Sequence, residues 1–339
     1  MTDVTLKKML YTLCVVKGIS GDETKASEMA LSFLKNYCSN AHISHGNVMG
    51  TMGNSNENAP HVLLDAHIDQ VGLIVTSITD DGFVTVGNIG GLDRRIFPDQ
   101  HVKLHGTKTI DGIISTLPPH LSNGEEQVQR IEQVRIDTGY SADELKKILH
   151  IGDSVTFCGV YAEMMGGKIT APALDDRCGV ASILYALDLL QDEEIPCKVT
   201  ALFSTQEEVG ERGARIGCFS ANPDIALAVD VSFAGDGSDG TGIMGKGAMI
   251  GFSPSLSRKI SRDLVKCADE NNIPYQYEVM NGTTGTNADQ FSTCREGVRA
   301  CTVSIPLDYM HTPVEVIDIE DVKNTGLLLA NYLRGCREC

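Results

Sequence analysis

The stretch Lys198-Val-Thr-Ala-Leu-Phe-Ser-Thr-Gln-Glu-Glu-Val-Gly210 joins a short apolar strand, Lys198 to Ser204, directly to two adjacent acids, Glu207 and Glu208. Side chains on a continuing strand alternate between faces, so neighbouring acids would point apart. Past the strand end the backbone turns, and both carboxylates can reach one site from the loop. Two like charges that close are costly unless a cation lies beside them or one takes up a proton. A solvated turn explains a lone Glu-Glu pair equally well. Its meaning depends on what the rest of the chain supplies.

The same texture recurs on both sides of this stretch. Val62 to Leu64, Ile225 to Val231 and Val298 to Ile305 read as buried strands, and Ile43 to Met49 as a mixed one. Helices are expected over Cys178 to Leu190, Ser257 to Asn271 and Ile319 to Leu333. An N-terminal helix is broken at Gly18-Ile-Ser-Gly-Asp-Glu23, where Ser20 and Glu23 have capping-box spacing. A second helix follows, with Ala26, Met29, Ala30, Phe33 and Leu34 on one face. Strands alternating with helices predict an α/β sandwich whose helices cover a mostly parallel central sheet, with sites at the carboxyl ends of its strands.

From Gly72 to Cys158 the pattern changes to short β pieces separated by Asp-Gly and Gly-Gly turns. They are Leu73 to Ile78, Phe83 to Val86, His101 to Leu104, Gly112 to Ser115 and Ser154 to Phe157, with one helical patch over Ala142 to Leu149. Residues 72–158 therefore read as a small all-β domain inserted into a larger one made of residues 1–71 and 159–339.

The 339 residues carry 45 acids against 28 bases, a net charge of −17. So acidic a chain has no general phosphate-neutralising surface for nucleic acid, and its acidity attracts divalent cations. No apolar run of about 18 residues suggests a membrane span, and the N-terminus lacks a signal-peptide pattern. A soluble, cytoplasmic protein is expected. Eleven cysteines are scattered along the chain. Cys14, Cys158, Cys178 and Cys301 sit in apolar surroundings and read as reduced thiols, while Cys336 and Cys339 read as exposed tail residues.

Four further acid- or imidazole-bearing sites lie close to element ends. His67 and Asp69 follow the Val62 strand, and a ligating imidazole usually leans on such a carboxylate; a capped strand end is the plainer reading. Asp175 and Asp176 stand at the door of the apolar helix, where its dipole alone would favour acids. Asp230 closes an apolar strand, which is unfavourable unless it is paired, coordinated or solvated. His311 precedes the last helix, a common place for a helix-entry or core histidine. Taken together, two imidazoles and three carboxylates, with one acid to spare, make a donor set for zinc, manganese or cobalt and for a co-catalytic metal pair.

The order and wording of these motifs resemble the glutamyl aminopeptidase and deblocking aminopeptidase family of dinuclear metallopeptidases, some of which form hollow tetrahedral assemblies. The resemblance spans nearly the whole chain: Gly46-Asn47, AHIDQVG (66–72), NIGGLDRR (88–95), LPPHL (117–121), IGDSVTF (151–157), APALDDRCG (171–179), STQEEVGERGA (204–214), AVDVSFAGD (228–236), GKG (245–247) and MHTPVEV (310–316). It implies a zinc-peptidase fold and hydrolysis of N-terminal residues from short peptides by two divalent ions, zinc first. By position, His67 and Asp230 would hold one ion, Glu208 and His311 the other, and Asp175 would bridge them through a cis link to Asp176. Glu207 would be the general base and acid, and Asp69 the carboxylate behind His67. The inserted domain would drive assembly into a homo-oligomer, dimer-based and up to a dodecamer, and His120 would approach a neighbouring subunit's site.

Three positions depart from the family's usual wording: Gln70 where Glu is common, the glycine-rich turn at 234–240, and Asn287 where Asp is common. The first two keep open a degenerate, non-catalytic metal-binding subunit. A glycosidase reading also stands, because some relatives are labelled endoglucanases, but it would leave both histidines without a purpose.

Overall fold

The computed structural model describes residues 1–116, 128–238 and 240–336. The LPPHL stretch with its His120, and Cys339, lie outside them.

The strand His61–His67 is the axis of the larger unit, and all seven of its residues are buried. Its side chains alternate between two covered faces, which is why the sequence shows an unbroken apolar run. Val62, Leu64 and Ala66 pack with leucines of the helices Asp3–Val15, Leu174–Leu190 and Ile319–Gly335. Leu63 faces the opposite layer, built from Ala214 and Cys218 of the helix Arg212–Ala221 and Phe291 of Ala288–Ser292.

The 11-stranded sheet is mixed, not mostly parallel. Lys198–Ser204, His61–His67, Ile225–Phe233 and Arg299–Asp308 run parallel at its centre. Antiparallel strands flank them: Asn47–Gly53 on one side, Glu315–Asp318 and Lys168–Ala171 on the other. The stretch read as one mixed strand is a hairpin, His42–Ser44 against Asn47–Gly53. Its turn residues His45 and Gly46 both have positive φ, 52° and 86°. That is the backbone a two-residue hairpin favours.

Six strands between Gly72 and Phe157 close into a barrel, joined in the order Gly72–Ile78, Val84–Ile89, Ile136–Asp137, Thr109–Ile114, His101–His105 and Ser154–Phe157. Leu73, Val75, Val84, Val102, Leu104, Ile114 and Val155 fill it as a core of its own. The helix in this region is one turn, Ala142–Leu145, shorter than the sequence suggests.

Two local expectations are corrected. Ser20 and Glu23 do not cap the helix Thr24–Leu34: Glu23 occupies its N-cap position without a side-chain cap bond. Both side chains turn instead toward the acid-rich end of the sheet. Cys336 is buried, not an exposed tail residue, because Cys336 packs into the main core beside Leu333.

Candidate metal centre

Parallel pairing aligns the carboxyl ends of the central strands. Ser204 lies in register with His67, so the loop carrying Glu207 and Glu208 leaves the sheet beside that imidazole. Asp230 lies inside the strand Ile225–Phe233 rather than closing it. Asp175 sits in the first turn of the helix Leu174–Leu190, whose N-cap Ala173 is left-handed at φ 56°. The Asp175–Asp176 peptide is cis. His311 itself has φ 60°, and Gln206, just before Glu207, has φ 57°. Non-glycine residues in this region concentrate at functional sites.

The fold brings His67, Asp69, Asp175, Glu207, Glu208, Asp230 and His311 together. His67 Nε2 lies 3.0 Å from Asp175 Oδ1 and 3.9 Å from both Glu207 Oε2 and Asp230 Oδ1. His311 Nε2 lies 3.3 Å from Asp175 Oδ2 and 3.3 Å from Glu208 Oε1. One Asp175 carboxylate therefore stands between two imidazoles, one on each oxygen. Two donor triads share it, His67–Asp175–Asp230 and Asp175–Glu208–His311, each with its ligand atoms within 4.8 Å of one another.

The imidazole tautomers show that this centre suits a cation. His67 Nδ1 donates to the Asp69 carbonyl at 3.1 Å, and His311 Nδ1 to the Gly91 carbonyl at 2.6 Å. With those protons placed, each Nε2 presents a lone pair to carboxylate oxygens. Such an arrangement is repulsive unless a second proton or a cation sits between. Burial works against that proton, yet the carboxylates of Asp175 and Asp69 raise His67 well above its ordinary value. Bonds to Asp175 and Glu208 likewise overcome burial and carry His311 up to about 11. The donors are carboxylate oxygen and imidazole nitrogen with no thiolate, a set that fits divalent zinc, manganese or cobalt.

The carboxyls divide by environment. Burial pushes Glu207 up to about 9; His67 pulls against it while Asp230, Glu208 and Asp175 push with it. Burial also raises Glu208 and drives Asp230 well above the usual range. For Asp175 burial is outweighed by the bonds from His311 and His67, and its pKa falls. Asp69 is held low in the same way, burial yielding to His67, Ser20 and the Glu207 amide.

Several contributors were not legible in sequence. Glu315 accepts from the His311 N–H at 2.9 Å and the Asp175 N–H at 3.1 Å, tying the two ligand-bearing segments together. Asp176 accepts from the His67 N–H at 3.2 Å. The Gly90-Gly91 turn comes from the barrel, and an added Cβ on Gly91 would meet His311 Nδ1 at 3.3 Å. NIGG stood among the motifs, but nothing in one dimension says that it touches His311. Of the departing positions, Gln70 Oε1 accepts from Arg177 Nη2 at 3.0 Å, and Asn287 Nδ2 donates to buried Asp65 at 2.6 Å.

A family model for the M42 glutamyl aminopeptidases matches residues 46–328. The lysyl aminopeptidase of Pyrococcus furiosus is 32% identical over 319 residues, 91% of this chain and 91% of that protein. Among solved structures, aminopeptidase APDkam598 from the archaeon Desulfurococcus kamchatkensis superposes with a TM-score of 0.92 at 32% identity, covering 98% of this chain and 95% of the other. The Pyrococcus horikoshii TET1 peptidase, described as assembling into a tetrahedron or a large octahedral shell, superposes at 0.87 with 30% identity over 97% and 99% of the two chains. The carboxylate- and imidazole-lined centre thus lies in a frame shared with aminopeptidases over nearly its full length, and the chain belongs to the M42 glutamyl aminopeptidase family of peptide-bond hydrolases.

Proposed function

We propose that the chain removes N-terminal residues from short peptides at a centre for two divalent ions, zinc first, with cobalt or manganese fitting the same donors. The observation that carries this reading is the Asp175 carboxylate set between His67 and His311. His67 and Asp230 would hold one ion and Glu208 and His311 the other, with Asp175 common to both. Such a pair of ions, when bound, polarises the scissile carbonyl and activates the attacking water.

The chain's own groups do the rest. Asp69 and the Gly91 carbonyl orient the two imidazoles through their Nδ1 protons. Glu207 stands outside the two triads that share Asp175; it lies 3.9 Å from His67 Nε2 and forms a third close group with His67 and Glu208. Its place beside the ligand cluster, carried on the same loop as Glu208, suits a group that takes a proton from water and hands it to the leaving amine. Glu207→Gln should keep the metal content measured by plasma mass spectrometry and lower turnover of aminoacyl-anilides by at least about 10²-fold. Wild-type turnover in that variant would show that Glu207 is not the base.

We further infer that residues 72–158 carry assembly into homo-oligomers built from dimers and reaching a dodecamer. Support comes from the solved relatives, one of them described as a dodecamer. Light scattering should return a multiple of the dimer mass at micromolar concentration; a monomer would contradict this. The ten cysteines among the described residues stand as thiols, which fits a reducing, cytoplasmic setting. Among those residues no helix is long and apolar enough to cross a membrane.

A further inference from the structure

The loop that carries Glu207 and Glu208 is held by side chains from three other parts of the fold. Its four successive amides, 205 to 208, each donate to a side-chain acceptor. The Thr205 N–H donates to Asn47 Oδ1 at 3.0 Å. The Gln206 N–H donates to Glu23 Oε1 at 3.2 Å. The Glu207 and Glu208 N–H groups go to the two oxygens of Asp69, at 3.1 and 3.2 Å. Asn47 opens a strand of the hairpin, Glu23 precedes the second helix, and Asp69 follows the His61–His67 strand.

Glu23 is the member of this clamp that lies outside the quoted family motifs, and its capping-box spacing with Ser20 points to a helix cap instead. Its residue is only 7% exposed. Its Oε1 also takes the Gly21 N–H at 2.6 Å, and it makes no cap bond to the helix it precedes. The turn that carries it is fastened to the segment after His67: the Gln70 N–H donates to the Gly18 carbonyl at 2.9 Å, and the Ser20 N–H to the Gln70 carbonyl at 3.1 Å. The Ser20 hydroxyl donates to Asp69. Gln206, whose amide Glu23 receives, is the left-handed residue at φ 57° from which the Glu207–Glu208 pair departs.

We propose that Glu23 is a positioning residue for catalysis: it fixes Gln206 in its left-handed conformation and so sets the direction in which Glu207 enters the site. The proposal rests on the reading of Glu207 as the general base. Acceptors on four consecutive amides restrain the loop backbone, and a misplacement of about 1 Å in a catalytic group can cost about 10²-fold in rate. Because the grip is an accepted hydrogen bond, an amide oxygen at the same reach should serve as well.

The test is steady-state kinetics on an aminoacyl-anilide for E23A, E23Q, E207Q and the E23A/E207Q pair, each with its metal content and with hydrogen exchange followed at the 205–208 amides. E23A should lose about 10- to 100-fold in kcat, with KM within about twofold, metal content unchanged and faster exchange at Gln206. E23Q should stay within about threefold of wild type, and E23A should add little to E207Q, since groups acting as one unit are non-additive. Should E23A not fold, Glu23→Asp, which shortens the reach and keeps the charge, carries the same expected kcat loss. The proposal fails alone if E23A retains wild-type kcat beside an impaired E207Q. It also fails if E23Q is as damaged as E23A, if the loss tracks lost metal, or if E23A costs as much on top of E207Q. Wild-type turnover in E207Q would overturn the reading of Glu207 itself, and this proposal with it.

Discussion

His311 is oriented by a residue from another part of the fold. Its Nδ1 proton goes to the Gly91 carbonyl at 2.6 Å, and a side chain at that point would crowd the ring. A Cβ at 3.3 Å from the ring nitrogen would push the imidazole by a few tenths of an ångström and weaken the bond that fixes its tautomer. Gly91→Ala should therefore lower kcat/KM by about tenfold, from displaced geometry in a packed site, with the circular dichroism spectrum intact. Kinetics equal to wild type would mean that the carbonyl contact does not orient His311. Two of the neighbouring acids were legible at this scale and two were not. Glu207 and Glu208 stand together in sequence and invite attention. Glu315 and Glu23 are ordinary acids whose work is visible only when their partners' amides are placed around them.

Individual strands and helices were largely readable, because apolar runs and 3.6-residue periods report burial directly. Strand direction was not. A period-2 or continuous apolar run looks the same in a parallel or an antiparallel neighbour, so the sheet's antiparallel flanks escaped notice. Pairing between elements also explains Asn287. Its amide donates to Asp65 Oδ2 at 2.6 Å and to Ser204 Oγ at 2.9 Å, linking the helix Ala288–Ser292 to the two strands that end in the site. Burial pushes Asp65 up to about 7. Asn287→Asp would set a second carboxyl against it, and one of the two must then hold a proton. Urea unfolding at pH 8 should show a loss on the order of 2 kcal/mol, smaller at pH 5, where protonation relieves the repulsion. Equal stability of variant and parent at pH 8 would count against this account.

At the scale of the whole molecule, the centre is assembled from residues between Glu23 and Glu315, and the barrel interrupts the larger unit three residues after Asp69. The insertion is part of the active region as well as a candidate assembly surface, since its Gly90-Gly91 turn reaches His311 and Glu208. The sequence by itself determined the layered α/β character, the β-rich stretch between Gly72 and Cys158, the family and the identity of the acids and imidazoles of the two triads that share Asp175. Those follow from local burial patterns and from the order of motifs, both of which are properties of one dimension. Only the tertiary structure decided that one carboxylate, Asp175, stands between two imidazoles, that the sheet is mixed, and that Glu23 and Gly91 bond to Gln206 and His311. Each of these depends on which distant backbone groups are brought within hydrogen-bond reach. That is set by the packing of both sheet faces and the barrel together, not by any local stretch of residues.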